Sequence, residues 1–196
     1  MAQVMTSPRK RLSPDQRRHQ LLEIGSRLFA ERPYDEVWIE EVADLAGVSR
    51  GLMYHYFSSK RDFFADIIRL ESARMVEITA PDTTLPVEHQ VSAGLRAYIR
   101  YSTDHAHGLR AINRGTMSGD VGIQAILTAE FETQQQRILA ALGPDDGADE
   151  VTRVAVAGWV SFVRAVCVDW VDRQSISADE VHDLCMRALH GLLRRS

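Results

Sequence analysis

The sequence predicts an all-α protein, with a small three-helix unit at its N-terminal end and a larger helical bundle after it. Apolar residues recur at spacings of three and four along most of the chain, which is the period of an amphipathic helix. Runs that alternate apolar and polar residues between turn signals, as strands do, are absent from the sequence. Pro and Gly fall mostly between the periodic segments and so mark the connections.

The first predicted helix begins at Pro14 and stops before Pro33. Ser13 as N-cap, Pro14 at the first helical position and Gln16 form a capping-box pattern. Pro33 ends the helix because proline has no amide N–H to donate. The apolar stripe of this helix consists of Leu21, Leu22, Gly25, Leu28 and Phe29.

Three more helices follow. The segment 39–46 has one apolar face and stops at Gly47, a residue suited to a helix C-terminus. Ser49 is placed to cap a short helix that runs to about Tyr56. Ser59 is placed to cap a longer helix that ends near residue 80.

The rest of the chain is predicted to form a bundle. Short connections between long amphipathic segments indicate antiparallel neighbours. After a linker at 80–86, helices are predicted at 87–106, 108–116, 119–142, 149–173 and 178–194. We therefore divide the chain into a basic flexible arm at 1–12, a helix-turn-helix domain at 13–60 and a helical domain at 61–196.

Composition is that of a globular protein, and charge differs between the two ends. Of the 196 residues, 45% are apolar and 26% are charged, and the formal net charge is −4. Residues 1–61 carry ten Lys and Arg against eight Asp and Glu, which leaves 13 against 19 in 62–196. Only the N-terminal end is therefore suited to a polyanion, although a solvated tail is the simpler interpretation of the arm taken alone.

The cysteines and the longest apolar run both favour a cytoplasmic protein. Cys167 and Cys185 lie in apolar helical segments without CxxC spacing, as buried reduced thiols do. The run at 154–171 approaches the length of a membrane span, but Arg164 and Asp169 interrupt it. Because charges near a bilayer centre are costly, we expect a buried helix and no membrane partner.

The second and third predicted helices, with the turn between them, have the spacing of a helix-turn-helix. In that motif the second helix enters the DNA major groove. Arg50 is the best base reader, since its guanidinium can bridge two acceptors of guanine, and Gly51 lets the backbone approach the duplex. Tyr54, His55 and Lys60 are placed to reach phosphates, which fix register without reading sequence. The alternative is a helix pair that serves only as scaffolding.

The segment YDEVWIEEVADLAGVSRGLMYHYFSSKRDFF, residues 34–64, resembles the DNA-binding domain of the tetracycline-repressor (TetR) family of bacterial regulators. The shared features are an aromatic-Asp start, a Val-Ala pair, AGVSRG, Tyr-His-Tyr-Phe and a lysine three residues later. The resemblance implies a DNA-binding head, a ligand-binding and dimerising helical body, and a homodimer on palindromic operators. The DNA contacts that it implies are Arg50, Gly51, Leu52, Tyr54, His55 and Lys60, with Arg18 of the first helix and Trp38 as further candidates.

Departures from the family pattern affect the start of the second helix. Pro33 stands where the family usually has glycine, and Val37 and Trp38 stand where it favours Thr or Ser. Those hydroxyls would cap the helix and touch phosphate. We expect Asp35 to supply the cap instead, and the indole N–H of Trp38 to replace a phosphate donor.

The body carries rings and isolated polar groups on neighbouring helices, which is how small-molecule sites are usually built. The effector pocket of the resembling family lies among these helices, so we expect a largely apolar cavity for a small lipophilic or aromatic effector. The alternative is that most of these residues are plain core. The candidates are Tyr98, Tyr101, His105, Asn113, Met117, Phe131, Trp159, Phe162 and Arg164, with Cys167 as a further one.

Arg164 is the most informative charge of the body because its neighbours in sequence are apolar. It is suited either to an acidic effector headgroup or to a carboxylate on a neighbouring helix. We expect the second, with Asp169 or Glu130 as partner, because an unpaired interior charge is costly.

The last two predicted helices are apolar on more than one face. The segment VAVAGWVSFV has small residues on one side, and the final helix carries a stripe of Val181, Leu184, Cys185, Ala188, Leu189 and Leu192. This is more apolar surface than one core needs. We therefore expect a homodimer through the two C-terminal helices.

Patterns typical of enzymes are absent from the sequence. His105 and His107 are two residues apart and so do not share a helix face, as the i, i+4 ligand pair of a metal site does. Nucleophile-elbow, Walker-type and dinucleotide fingerprints do not occur. We expect no catalytic residue, no metal and no cofactor.

The sequence therefore predicts a ligand-responsive DNA-binding regulator, and a repressor because most members of the resembling family are repressors. The alternatives are a helical protein-interaction module and an activator without a small-molecule effector. Salt dependence separates DNA binding from protein binding, since phosphate contacts weaken steeply as salt rises.

Overall fold

A computed structural model describes residues 12–147 and 149–193, with the backbone path alone for 144–147. Within these ranges the predicted all-α fold is confirmed: nine α-helices, one short 3-10 helix at Tyr34–Glu36 and no strand. The predicted basic arm lies outside the described residues except for Leu12. The helices are α1 Pro14–Glu31, α2 Ile39–Ala46, α3 Arg50–Tyr56, α4 Lys60–Ile78, α5 Val87–Asp104, α6 Ala106–Asn113, α7 Val121–Gly147, α8 Glu150–Arg173 and α9 Ala178–Leu193.

Local sequence signals set the ends of the N-terminal helices as predicted. The Ser13 hydroxyl accepts the backbone N–H of Gln16, whose side chain accepts the N–H of Ser13, so the capping box is complete. Ser49 and Ser59 cap α3 and α4 by accepting the backbone N–H three residues on. Gly47 ends α2 in the left-handed conformation, with φ 64°, which glycine adopts without strain.

The prediction that Asp35 caps α2 is wrong. The residue before α2 is Trp38, whose side chain makes no capping hydrogen bond. Asp35 instead accepts a hydrogen bond from the Thr116 hydroxyl at 3.2 Å, because the 3-10 turn that carries it lies against the body. Val37, which replaces a family hydroxyl, is 1% exposed and belongs to the core.

One hydrophobic cluster joins the three N-terminal helices to the body. It includes the predicted α1 stripe, the apolar face of α2, and Phe63, Phe64 and Ile67 of α4, and it continues into Ile112 and Ile123. α4 packs against both α1 and α7 and so connects the two parts. The boundary proposed at residue 60 stays a prediction.

A second cluster holds α5, α8 and α9 together. Both cysteines are free thiols with 0% exposure in this cluster. α8 is, by length and composition, the described helix that is apolar enough to cross a membrane. It packs against α7 and α9 and buries Trp159, so part of its apolar surface belongs to the fold.

Candidate DNA-binding surface and ligand cavities

α3 presents one face to the core and the other to solvent. Met53 and Phe57 are 1% and 2% exposed, so their predicted inward direction is confirmed. Tyr56 is half-buried and its ring contacts the ring of Phe57, which makes it part of the wall. Tyr54 and His55 lie on the exposed side of the helix.

Arg50, the first residue of α3, makes only exposed contacts with its neighbours. Its Nη2 lies 2.7 Å from Glu40 Oε1, and its guanidinium carbon lies 5.6 Å from the centre of the Tyr54 ring. Both members of the ion pair are well exposed, and such pairs contribute at most about 1 kcal/mol. Because this pair is exposed and weak, the Arg50 guanidinium is free to exchange Glu40 for another hydrogen-bond acceptor.

Lys60 stands beside α3 in a cluster with two rings, which we call the lysine-aromatic cluster: Tyr34, Trp38 and Lys60. The ammonium lies 4.4 Å from the centre of the Tyr34 ring and 5.8 Å from that of Trp38. Burial between the rings lowers the pKa of Lys60 from its ordinary value, and Asp35 opposes this. Lys60 is also the first residue of α4, where exposed N–H groups favour an anion. Trp38 is 64% exposed at the rim of the cluster.

The other candidate DNA contacts differ in whether their side chains already make contacts within the protein. A Cβ added to Gly51 would meet only Ser49 Oγ, at 3.9 Å, so packing does not require glycine there. Leu52 is half-buried. Arg18 donates to Asp66 at 2.5 Å and lies 5.3 Å from the centre of the Phe57 ring, so it braces α1 against α4. DNA contact by these residues stays a prediction.

Two cavities lie in the body and share part of their wall. The distal cavity is bounded by the middle of α5, the second half of α7 and the middle of α8, and the proximal cavity by α1, α4, α5 and α6. Measured out to their openings, and with open solvent included, they contain about 700 and 720 Å³ of empty space. Tyr98, Glu130 and Phe131 line both cavities and form the junction between them.

Most of the predicted effector residues line these cavities. Besides Tyr98 and Phe131 at the junction, Trp159 lines the distal cavity, and Tyr101, His105, Asn113 and Arg164 line the proximal one.

Three of the predictions for the effector site are wrong. Met117 is 5% exposed in the cluster that joins head and body, because the turn after α6 points it towards the head. Phe162 packs on the second cluster, since its neighbour Val163 takes the position on α8 that faces the distal cavity. Cys167 is sealed in the same cluster and lines neither cavity.

Of the two carboxylates expected beside Arg164, Asp169 is not its partner, whereas Glu130 acts on it electrostatically without a direct ion pair. Its Nε donates to Asn113 Oδ1 at 2.5 Å, and its guanidinium carbon lies 4.8 Å from the centre of the Phe131 ring. In the described part of the chain no carboxylate oxygen lies within 4.0 Å of this guanidinium. Asp169 instead pairs with Arg114 and Arg173 on the surface.

Glu71 of α4, which sequence reasoning missed, connects the proximal cavity to the head. It is 7% exposed, and its Oε1 accepts hydrogen bonds from the Ser26 hydroxyl at 2.6 Å and from Arg74 at 2.7 Å. Its Oε2 accepts from the Tyr101 hydroxyl at 2.8 Å, and the His105 ring stacks on Tyr101. One carboxylate thus joins α1 of the head to α5 of the body. A signal existed, since Glu71 occupies a position on the apolar stripe of α4.

Glu130 is the second acidic group of the cavities. It is 8% exposed on α7 at the junction. Burial raises the pKa of Glu130 to about 7, and the Ser72 hydroxyl and the charge of Arg164 oppose this rise. Near neutral pH the group is therefore partly protonated and can donate as well as accept.

The N-terminal helices α1–α3 expose Arg50 on α3, and α4 packs them against a helical body that contains cavities. This arrangement is typical of a DNA-binding regulatory protein. Residues 21–67 match the family model described as bacterial regulatory proteins, tetR family. Residues 87–191 match the model of the tetracyclin repressor-like C-terminal domain. The chain therefore belongs to the tetR family of bacterial regulatory proteins.

Individual relatives agree with this assignment. The transcriptional activator FasR of Mycolicibacterium smegmatis is 28% identical over 162 residues, which cover 82% of this chain and 59% of FasR. The transcriptional repressor AcnR of Corynebacterium diphtheriae is 34% identical over 77 residues, 39% of this chain and 40% of AcnR. The chain thus matches less than two thirds of the length of these curated relatives.

Solved structures show the same fold. A tetR-family regulator from Streptomyces coelicolor superposes with a TM-score of 0.80 at 24% identity, over 92% of this chain and 80% of that one. The regulator FadR of Bacillus subtilis, solved in complex with stearoyl-CoA, superposes with a TM-score of 0.69 at 14% identity, over 87% of this chain and 96% of that one. At these identities the likeness concerns the fold alone.

Proposed function

We propose that this protein is a ligand-responsive transcriptional regulator that binds a palindromic DNA operator as a homodimer. The observation that carries the proposal is the exposed face of α3 next to the lysine-aromatic cluster. On this surface Arg50 would read a base edge, and Lys60, the first residue of α4, would bind a phosphate that also meets the backbone donors of the helix end. Membership of the tetR family supports this use of the surface.

Homodimer formation is supported by apolar surface left exposed on the last two helices. Val151 and Val154 of α8 are 74% and 64% exposed, and Leu184 and Leu192 of α9 are 36% and 50% exposed. Gly158 lies one turn after Val154 on the same exposed side and permits close helix approach. A second copy of this four-helix face would bury these residues isologously.

The dimer is tested by a charge placed on that face. Val154→Asp should shift the protein to monomer in sedimentation equilibrium and weaken operator binding. The matched control is Val121→Asp, since Val121 is 83% exposed at the start of α7, away from the proposed face. If both variants dimerise like the parent protein, the interface lies elsewhere.

Ligand response is supported by the position of the two cavities. The proximal cavity is lined by Ser26 of the head and by Glu71, Tyr101 and His105. A ligand that moves α5 would shift Tyr101 relative to Glu71 and so alter a link between α5 and the helices that place α3. Ligand and operator then bind with opposite preference and compete through a coupling free energy.

The direction of regulation has two candidates. Release of a repressor is supported by the AcnR and KstR2 relatives, which are named as repressors. Activation is favoured by FasR, the relative with the long match, which is named as an activator. A reporter gene behind the operator decides between them: its expression rises on deletion of a repressor and falls on deletion of an activator.

DNA selection with the purified full chain tests the proposal. Genomic fragments retained by the protein at moderate salt are expected to share a palindrome, and retention should fall steeply as salt rises. The control is the double variant with Arg50→Ala and Lys60→Ala, which should retain no common sequence. Retention of random fragments by both proteins, or of none by either, would reject the DNA-binding function.

A further inference from the structure

Beside the junction of the two cavities, on the proximal side, lies the guanidinium of Arg164, which makes no ion pair within 4.0 Å in the described part of the chain, although the charge of Glu130 acts on it. Arg164 uses only its Nε, in the bond to Asn113, and its terminal nitrogens make no hydrogen bond there. No buried side-chain nitrogen or oxygen among the described residues is without a partner, so these terminal nitrogens are not sealed from solvent, and Arg164 lines the proximal cavity. They can therefore bind something that enters the cavity.

The surroundings of Arg164 make an anion the fitting occupant. Arg164 is half-buried, and desolvation lowers its pKa from the ordinary value, although an arginine remains a cation. Glu130 opposes this lowering of the pKa but makes no direct ion pair, and a ligand carboxylate offers the two parallel acceptors that a guanidinium fork matches. The Asn113 bond and the Phe131 ring fix the plane of the fork.

The distal cavity, which begins at the same junction, suits an apolar chain. Its wall consists mostly of aliphatic and aromatic side chains, among them Leu95, Ile138, Val160 and Val163. Among its polar wall residues, Gln134 donates to the Thr79 hydroxyl at 2.6 Å, and Arg137 donates through one terminal nitrogen to the Val76 carbonyl at 2.6 Å. An apolar chain that starts at Phe131 can follow the aliphatic part of this wall.

From this geometry we infer that the effector is an amphipathic carboxylic acid, whose carboxylate binds Arg164 at the junction and whose apolar chain fills the distal cavity. The inference rests on the proposed function and names the ligand class of that site. It places the polar end of the ligand at Arg164 and the apolar end in the distal cavity.

The two carboxyl groups near the junction do not oppose this arrangement. Glu71 is already satisfied by Arg74, Ser26 and Tyr101. Glu130, whose pKa burial raises to about 7, carries a proton in part of the molecules at neutral pH and can donate it to the ligand carboxylate. Binding of the anion favours this protonated form further.

Calorimetric titration of the purified protein with octanoate, methyl octanoate, 1-octanol and octanoyl-CoA tests the inference. Octanoate should bind at least tenfold more tightly than the ester and the alcohol, since only the acid supplies an anion. Each methylene added up to dodecanoate should tighten binding about fourfold while the chain still fits the distal cavity. Equal affinity for acid and ester would overturn the inference.

Three variants assign the effect to Arg164. Arg164→Gln should abolish the preference for the acid and leave binding of the alcohol unchanged, and Arg164→Lys should retain part of the preference. Arg153→Gln is the matched control, since Arg153 lies on the same helix, is exposed and lines neither cavity. Thermal unfolding of each variant shows whether it is folded. A preference that survives Arg164→Gln would overturn the inference.

The remaining outcomes separate this inference from the proposed function. Tight octanoyl-CoA binding that depends on Arg137 and not on Arg164 would reverse the ligand orientation and overturn the inference. Absence of binding by every carboxylate, in a protein that still selects a palindrome from genomic DNA, would overturn the ligand class and leave the DNA-binding function intact. If the protein binds the carboxylic acid but selects no DNA sequence, the DNA-binding function is rejected and the carboxylate-binding site at Arg164 stands.

Discussion

The hydrogen bonds of Glu71 give a stability prediction whose size follows from the structure. The Tyr101 hydroxyl donates at 2.8 Å to a carboxylate that is 7% exposed, and hydrogen bonds to charged groups contribute about 1.5–3 kcal/mol. Tyr101→Phe removes only the hydroxyl, so we expect a loss of roughly 1.5–3 kcal/mol in the free energy of unfolding. Ser26→Ala removes the second neutral donor, at 2.6 Å, and should have a similar cost.

The double variant Ser26→Ala, Tyr101→Phe shows whether the two helices act through one carboxylate. Because both donors serve Glu71, the two losses should not add, and the coupling energy should be at least about 0.5 kcal/mol. Urea denaturation measures these values, at one fixed protein concentration because dimerisation contributes to stability. The same variants should reduce the factor by which a ligand weakens operator binding.

Tyr34→Phe is the matched control for these measurements. Tyr34 is half-buried, and its hydroxyl makes no hydrogen bond to the described residues. Its loss should change stability by no more than about 0.5 kcal/mol. If Tyr101→Phe is as mild as Tyr34→Phe, or if the double variant is strictly additive, Glu71 is not the connection between head and body that its geometry indicates.

Three further predictions concern the head and the buried acid. Arg50→Ala should reduce the preference for one base at one operator position by about 1–3 kcal/mol. Lys60→Ala should weaken binding to all DNA sequences alike, and the slope of log affinity against log salt concentration should become less steep by about one unit. Fluorescence anisotropy measures both effects. Gly25→Ala should lower the free energy of unfolding, measured in urea, by roughly 1–3 kcal/mol, since a Cβ there lies 2.4 Å from a Phe63 ring atom. Gly51→Ala should leave the stability unchanged and weaken only DNA binding. Burial raises the pKa of Glu130 to about 7 in the folded protein, so its contribution to stability is full below about pH 4.5 and is lost as pH rises through 7. Glu130→Gln should therefore stabilise the protein at pH 8 and not at pH 4. A Glu130→Gln effect that is the same at both pH values would contradict the assigned burial.

Much of the fold could be predicted because its signals are local. The serine caps, the glycine that ends α2 and the three-four spacing of apolar residues depend on neighbours within one turn, and they were confirmed. The cap at Asp35 failed because its carboxylate contacts Thr116, which is 81 residues away. A contact over that distance leaves no trace in the segment itself.

For the candidate site as well, features set by local sequence were predicted and features set by distant contacts were not. On α3 the helical period alone separates inward Met53 from outward Tyr54, so the predicted directions were confirmed. In the body the period shows that a residue faces inward but not what it meets, which is why Phe162 was assigned to a cavity that Val163 lines. Glu71 was missed because its partners on other helices, Ser26 and Tyr101, are not visible until α1 and α5 are placed beside α4, although Arg74 lies one turn away on α4 itself.

A hydroxyl-radical footprint on the selected DNA tests DNA recognition by the dimer most directly. Two recognition helices of a symmetric dimer should protect two stretches on one face of the duplex, with centres about 34–36 Å apart, one helical turn. Both stretches should lose protection together in the Arg50→Ala, Lys60→Ala protein. Absence of protection, or a single protected stretch unaffected by these substitutions, would show that α3 does not dock in the major groove as proposed.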